Sequence, residues 1–409
     1  MATFRQIADF DVARYMGIRS GLGKCADGLF RDFFVGHNNA FPDEILHGAF
    51  DWDGEIIYVP CGYESAFNAW SSIGRFLKHV QSNHHDANRK ACFVRYCAGV
   101  VDGGIIFGND RTVFSASVHT STAVQKIFEA KEGCTIDVHS LSVTADGAIV
   151  FRSDHTLHIL SRSGNAITGY VRQTIPLNSR ISGFKLLENR LDSDFSYVAA
   201  CETSKPGAKL GEPEKLWLIS LKSSSVINRL EMGSIFDFSQ HPYKPELVVL
   251  GQNKLTLLSL PDLKTVRSVV LPFAGNAGNA DPIYANVVYS PDGLYFALTY
   301  ADNGDVEIRG AGTLETVYTL NGRGLPLVDM AWDSTGSYLA CRFAVPFDPI
   351  KSELTVFDIR SQEIVFDITI NHKKDKAGKY PETVFRWSPR ATELACLIDN
   401  QRIRIYKPA

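Results

Sequence analysis

The chain has 409 residues, 45% of them hydrophobic and 21% charged, which is enough apolar sequence to bury a large core. Its formal net charge of −3 supplies no field that would make a nucleic-acid backbone the main partner. No apolar run reaches bilayer-spanning length and no signal-peptide core is present, so a membrane span and the secretory path are not expected.

In chain order, the first residues carry Arg5, Arg14 and Arg19, interrupted by Asp9 and Asp11, which argues against a mitochondrial transit peptide. Leu29-Phe-Arg-Asp-Phe-Phe-Val35 follows as an apolar, extended segment. Beyond it one strand phrase recurs eight times. It reads Ala66-Phe-Asn-Ala-Trp-Ser71, Thr112-Val-Phe-Ser-Ala-Ser117, Thr156-Leu-His-Ile-Leu-Ser161 and Lys215-Leu-Trp-Leu-Ile-Ser220. It returns as Lys254-Leu-Thr-Leu-Leu-Ser259, Asp305-Val-Glu-Ile-Arg-Gly310, Glu353-Leu-Thr-Val-Phe-Asp358 and Arg402-Ile-Arg-Ile-Tyr-Lys407. A period of roughly 40 to 60 residues carried by short alternating strands is the signature of a β-propeller, each repeat making one four-stranded blade.

An upstream strand pair precedes each phrase. Val287-Val-Tyr-Ser-Pro-Asp-Gly293 leads into Leu294-Tyr-Phe-Ala-Leu-Thr299, and Met330-Ala-Trp-Asp-Ser-Thr-Gly336 into Ser337-Tyr-Leu-Ala-Cys341. Phe385-Arg-Trp-Ser-Pro389 leads into Glu393-Leu-Ala-Cys-Leu397. A half-buried strand alternates, a turn uses the fixed φ of proline and the positive φ of glycine, and a more continuously apolar strand returns between neighbouring blades. On these residues the chain resembles the WD-repeat propellers over about residues 40 to 409. It departs from them in lacking the Gly-His pairs and most Trp-Asp closures, so the side-chain network of that family is not carried over.

The expectation is an all-β chain forming a single closed propeller of four-stranded antiparallel blades. Eight blades are favoured, with seven the alternative if the irregular first or fourth unit is an insertion. Residues 1–40 are read as an N-terminal extension and 41–409 as the propeller. The last unit ends after its third strand, and Leu29–Val35 is expected to supply the fourth and close the ring.

The eight cysteines are scattered without a Cys-x-x-Cys pair, and no Asn-x-Ser/Thr sequon occurs, which fits reduced core thiols in the cytoplasm or nucleus. No Gly-x-Gly-x-x-Gly, P-loop, nucleophile elbow or His-Glu-x-x-His is present, so no enzyme activity and no cofactor are expected. Gly275-Asn-Ala-Gly-Asn279 opens no helix and reads as a connector. His84-His85-Asp86 carries metal-ligand types, but adjacent histidines in a polar loop are ordinarily solvated. Asp302-Asn-Gly-Asp305 is accounted for as a tight turn.

The long connectors are 81–89, 203–214, 272–282, 342–351 and 371–381, all expected on one face of the ring. They carry the candidate partner-binding residues. These are His84 and His85, then Lys205 and Lys209, the lysines Lys373 and Lys374, and the apolar anchor Phe343, Val345 and Phe347. The alternative for the aromatics is internal packing at the channel mouth. Phe357-Asp358-Ile-Arg360 ends a third strand and resembles the Trp-Asp-x-Arg by which some WD-repeat proteins dock onto the adaptor of cullin-RING ubiquitin ligases. The expected function is a non-catalytic interaction scaffold for other proteins. The alternatives are a ligase substrate receptor and a ligand-binding or enzymatic propeller using the central channel.

Overall fold

The computed structural model describes residues 3–11, 51–52, 55–61, 66–73, 76–81, 96–101, 104–108, 111–117, 124–144, 147–162, 170–177, 181–189, 192–202, 214–251, 253–271, 285–299, 304–322, 324–344, 351–371, 384–398 and 402–409. Strand β1 (Phe4–Asp11) comes first. The first sheet follows as β2 (Asp51–Trp52), β3 (Ile56–Cys61), β4 (Ala66–Ser71) and β5 (Phe76–Gln81). The second holds β6 (Tyr96–Val101), β7 (Gly104–Gly108), β8 (Thr112–Ser117) and β9 (Gln125–Glu129). The third holds β10 (Ile136–Val143), β11 (Ile149–Ser153), β12 (Thr156–Arg162) and β13 (Tyr170–Pro176). The fourth holds β14 (Ile181–Asn189), β15 (Asp192–Glu202), β16 (Glu214–Ser220) and β17 (Ser225–Met232). The fifth holds β18 (Ile235–Gln240), β19 (Glu246–Gly251), β20 (Lys254–Ser259) and β21 (Lys264–Val270). The sixth holds β22 (Asn286–Tyr289), β23 (Tyr295–Thr299), β24 (Val306–Gly310) and β25 (Thr316–Leu320). The seventh holds β26 (Leu327–Trp332), β27 (Tyr338–Ala344), β28 (Lys351–Asp358) and β29 (Glu363–Asn371). The eighth takes β30 (Val384–Trp387), β31 (Leu394–Ile398) and β32 (Arg402–Pro408), with β1 beside β32 as its fourth strand.

Every strand pair is antiparallel, and all but β1 with β32 join strands consecutive in sequence; all eight recurring phrases fall on third strands. The first and fourth units, whose spacing left seven as an alternative, each form a four-stranded sheet. Burial follows position. The inner part of β16, β20 and β31 is buried on both faces, whereas β17 alternates and β21 stands almost wholly in solvent. Cores therefore lie between adjacent sheets, as when Leu187, Ala199, Leu216 and Leu218 meet Phe238, Leu247, Val249 and Leu258. This is the layered arrangement of a propeller.

The turns obey the chemistry read from sequence. Gly293 has φ +71° and donates its N–H to Ser290 O at 2.9 Å, while Asp292 Oδ1 accepts from Leu294 N at 2.9 Å. Gly336 repeats this in the seventh sheet, with φ +75° and an N–H to Asp333 O at 3.1 Å.

One register irregularity recurs. In seven of the eight sheets the fourth strand carries one extra residue opposite the third, near its start. The extra residues are Leu77, Ile127, Ile227, Val266, Val317, Val365 and Ile7. Only β13 pairs without it.

An N-terminal strand does complete the eighth sheet, but it is β1 and not Leu29–Val35, which lies outside the described residues. The physical reason is amphipathicity. The ring of Phe4 packs on Tyr338 at 5.3 Å and Trp387 at 6.1 Å, while Asp9 faces outward to meet Arg402 at 2.8 Å and Arg404 at 3.2 Å. An outer strand needs one buried and one wet face, which the Phe4-inward, Asp9-outward pattern of β1 supplies. Arg390 pairs with Glu55 at 2.8 Å, linking the eighth sheet to the first.

Candidate interaction surfaces

Phe343 follows the alternative given for the aromatics, internal packing. Strand β27 runs through it to Ala344, and the ring is 0% exposed, packed with Leu327, Leu339 and Phe357. Room for it comes from Gly304, whose added Cβ would stand 3.1 Å from the Phe343 ring and 2.1 Å from Leu325 O. Phe343 is thus a core residue and not a partner anchor, because β27 continues to Ala344 before Pro346 can end it. Val345, Phe347, Lys205, Lys209, Lys373, Lys374, His84 and His85 lie outside the described residues, as does 275–279. Asp305, from the Asp-rich turn, accepts the Gly322 N–H at 2.7 Å.

The Phe357–Arg360 segment divides by role. Phe357 is buried, and Asp358 Oδ1 accepts from the amides of Arg360 at 2.9 Å and Ser361 at 3.1 Å, so the carboxylate holds the turn. The Arg360 side chain is exposed.

The inner strands show a second feature, which sequence reading missed. Their free edges are capped from the neighbouring sheet. Asp237 Oδ2 accepts from Val287 N at 2.9 Å, and Ser239 Oγ from Tyr289 N at 3.1 Å. The indole of Trp332 donates to Val288 O at 3.1 Å and that of Trp387 to Ala331 O at 2.9 Å. The signal was a Trp placed directly before the first turn, as at Trp332 and Trp387. At the turn end of these strands lies a groove of about 480 Å³, lined by Leu187, Gln240, Pro242, Tyr289, Pro291 and Trp332 among others. Lys185 at its rim is paired with Asp237 and donates to Phe238 O at 2.7 Å.

Asp329 lies on β26, the first strand of the seventh sheet. Burial pushes the Asp329 carboxyl above the usual carboxylate range, against the opposing pull of the Arg386 and Arg342 guanidinium groups. Cys341 and Cys396 are fully buried thiols with strongly raised pKa values, which makes them inert packing. Among the described residues no group of three or more His, Cys, Asp or Glu side chains is placed to hold a metal ion, and no helix is long and apolar enough to cross a membrane.

No family model and no curated protein matches the sequence. Solved structures do. Sqt1 of Saccharomyces cerevisiae superposes with a TM-score of 0.63 at 8% identity, over 90% of this chain and 98% of that one. The Dos1 propeller gives 0.62 at 11% identity, over 90% and 93%. The dihydro-heme d1 dehydrogenase NirN, solved in complex with DHE, gives 0.55 at 15% identity, over 81% and 68%. At such identities the likeness carries fold and not activity. With its four-stranded antiparallel sheets, turn chemistry and these neighbours, the chain has a β-propeller fold.

Proposed function

We propose that the chain is a non-catalytic scaffold that binds protein partners through the face carrying its long connectors. In this reading the eight sheets are blades of one closed ring spanning residues 41–409, with the 1–40 extension contributing the closing strand. The supporting observation is an asymmetry between faces. In antiparallel sheets whose strands follow in order, the second-to-third loops and the sheet-to-sheet connectors share one side. Segments 203–213 and 345–350 join second to third strands, and 82–95, 271–285 and 372–383 join one sheet to the next. The turns 290–294 and 333–337, on the other side, are tight. Function concentrates in long loops on a rigid scaffold. Cytoplasm or nucleus is the proposed location, from the scattered cysteines and the absence of sequons.

The test is affinity purification with mass spectrometry on the full chain and on variants with 203–213 or 372–383 replaced by short Gly-Ser linkers. The variants should keep the wild-type melting temperature and lose partners. Recovery of the same partners from both would overturn the long-loop reading. Recovery of a cullin adaptor, lost on Arg360→Ala, would favour the ligase-receptor reading instead.

A further inference from the structure

We propose that the groove at the tight-turn mouth of the channel is a second docking site, built for an extended peptide segment of a protein partner. This deepens the scaffold reading and rests on it. Gln240, Tyr289, Trp332 and Trp387 hold one equivalent position, directly before the residue whose N–H opens the first turn. Those N–H groups belong to His241, Ser290, Asp333 and Ser388, and they bond to Glu246, Tyr295, Tyr338 and Glu393. In the seventh and eighth sheets the side chain at this position is an indole that ties itself to the preceding sheet, through Val288 O and Ala331 O. In the fifth and sixth it is Gln240 and Tyr289. Both line the groove, and the Gln240 amide nitrogen and the Tyr289 hydroxyl are buried with no hydrogen-bond partner. The groove therefore opens where the indole tie lapses.

Chemistry selects the occupant. A buried polar group without a partner is a standing cost, relieved by whatever supplies one. A glutamine amide carries donor and acceptor together, the same pair that a peptide group presents. The surrounding walls, Leu187, Pro242, Pro291 and Trp332, are apolar, and the one ammonium group, Lys185, is already neutralised by Asp237. Such a surface offers little to a charged metabolite and suits uncharged backbone bearing small apolar side chains. Its volume of about 480 Å³ is within the range of ligand sites. Because the lining comes from four successive inner strands, β14, β18, β22 and β26, the groove runs across sheets and matches an elongated ligand.

A phage-displayed random nonapeptide library panned on the full chain tests this. Recovered peptides are measured by fluorescence anisotropy against the wild type, Gln240→Leu and Pro291→Arg, with a melting temperature for each. Gln240→Leu removes an unpaired buried amide nitrogen at nearly constant volume, so its melting temperature should be equal or higher while peptide affinity falls at least tenfold. Pro291→Arg should block the groove and weaken the same peptides. If no peptide is recovered the proposal fails. Peptides whose affinity neither variant changes would also overturn it, while leaving the scaffold reading intact on the long-connector face. Binding of an N-acetyl amino-acid amide as tight as that of the peptides would overturn the peptide assignment in favour of a small-ligand site.

Discussion

The imidazole of His241 lies against Gly293 of the next sheet, so close that a Cβ on Gly293 would stand 2.4 Å from His241 Cε1. His241 is fixed there because its Nδ1 accepts from the amides of Tyr243 and Lys244, both at 3.1 Å. Gly293 also has φ +71°. Gly293→Ala therefore adds a steric overlap to the strain of the left-handed region, for a total of roughly 3 kcal/mol or more. At Gly336, φ is +75° but the nearest atom to a new Cβ is 3.5 Å away, so Gly336→Ala should cost only about 1 kcal/mol. Urea unfolding of the two variants measures the difference, and equal losses would refute the His241 contact.

His158 gives the fold a pH dependence. Its ring is 3% exposed, stacks on Phe151 at 4.9 Å and meets Phe128 at 4.9 Å. Burial first, and the Arg172 charge second, push its pKa down from 6.5 to about 4. Between those values the unfolded chain binds a proton that the folded chain refuses, so stability falls as pH drops from 6.5 towards 4. At about 1.4 kcal/mol per pKa unit the loss is of the order of 3 kcal/mol. His158→Phe should flatten that part of the stability–pH curve and leave pH 8 stability within about 1 kcal/mol of wild type.

Arg309 is buried beside Glu307, to which its Nε donates at 2.6 Å, and its Nη1 donates to Leu314 O at 2.7 Å. Glu307→Ala strands that guanidinium and should cost roughly 3 kcal/mol. Lys126→Ala breaks an exposed pair with Glu129 and should cost less than about 1 kcal/mol. Denaturant midpoints of both variants check the ranking.

Removing residues 1–11 strips β1 from β32 and leaves a full-length open edge. Size-exclusion chromatography should show aggregation of the shortened chain. A monomer with unchanged melting temperature would mean that β1 is dispensable to closure.

The repeating third strands were legible because their burial on both faces forces an apolar phrase that survives divergence, as in Lys254–Ser259 and Arg402–Lys407. The closing strand was legible in kind but not in place: apolarity favoured Leu29–Val35, whereas the site needed Phe4 inward and Asp9 outward. Phe343 misled because Pro346 signals a loop, and nothing local reveals that Gly304, far back in sequence, opens the space the ring fills. The groove was invisible for a related reason. It depends on which of four equivalent positions carry Trp, a comparison between sheets and not within one.

The extra residue near the start of seven outer strands bears on how these molecules meet one another. Outer strands such as β21 and β25 offer their hydrogen-bonding edge to solvent, and two regular edges would pair into a continuous sheet between molecules. A bulge sets neighbouring N–H and C=O groups out of step and twists the strand away, so a second ladder cannot zip along it. Aliphatic side chains then stand at the rim, Val266 and Val317 more than half exposed, without making it adhesive. The one regular outer strand, β13, ends in Pro176 and presents Arg172, which deny a partner strand by a missing donor and a charge. The described outer strands are thereby kept from pairing edge to edge with a second molecule.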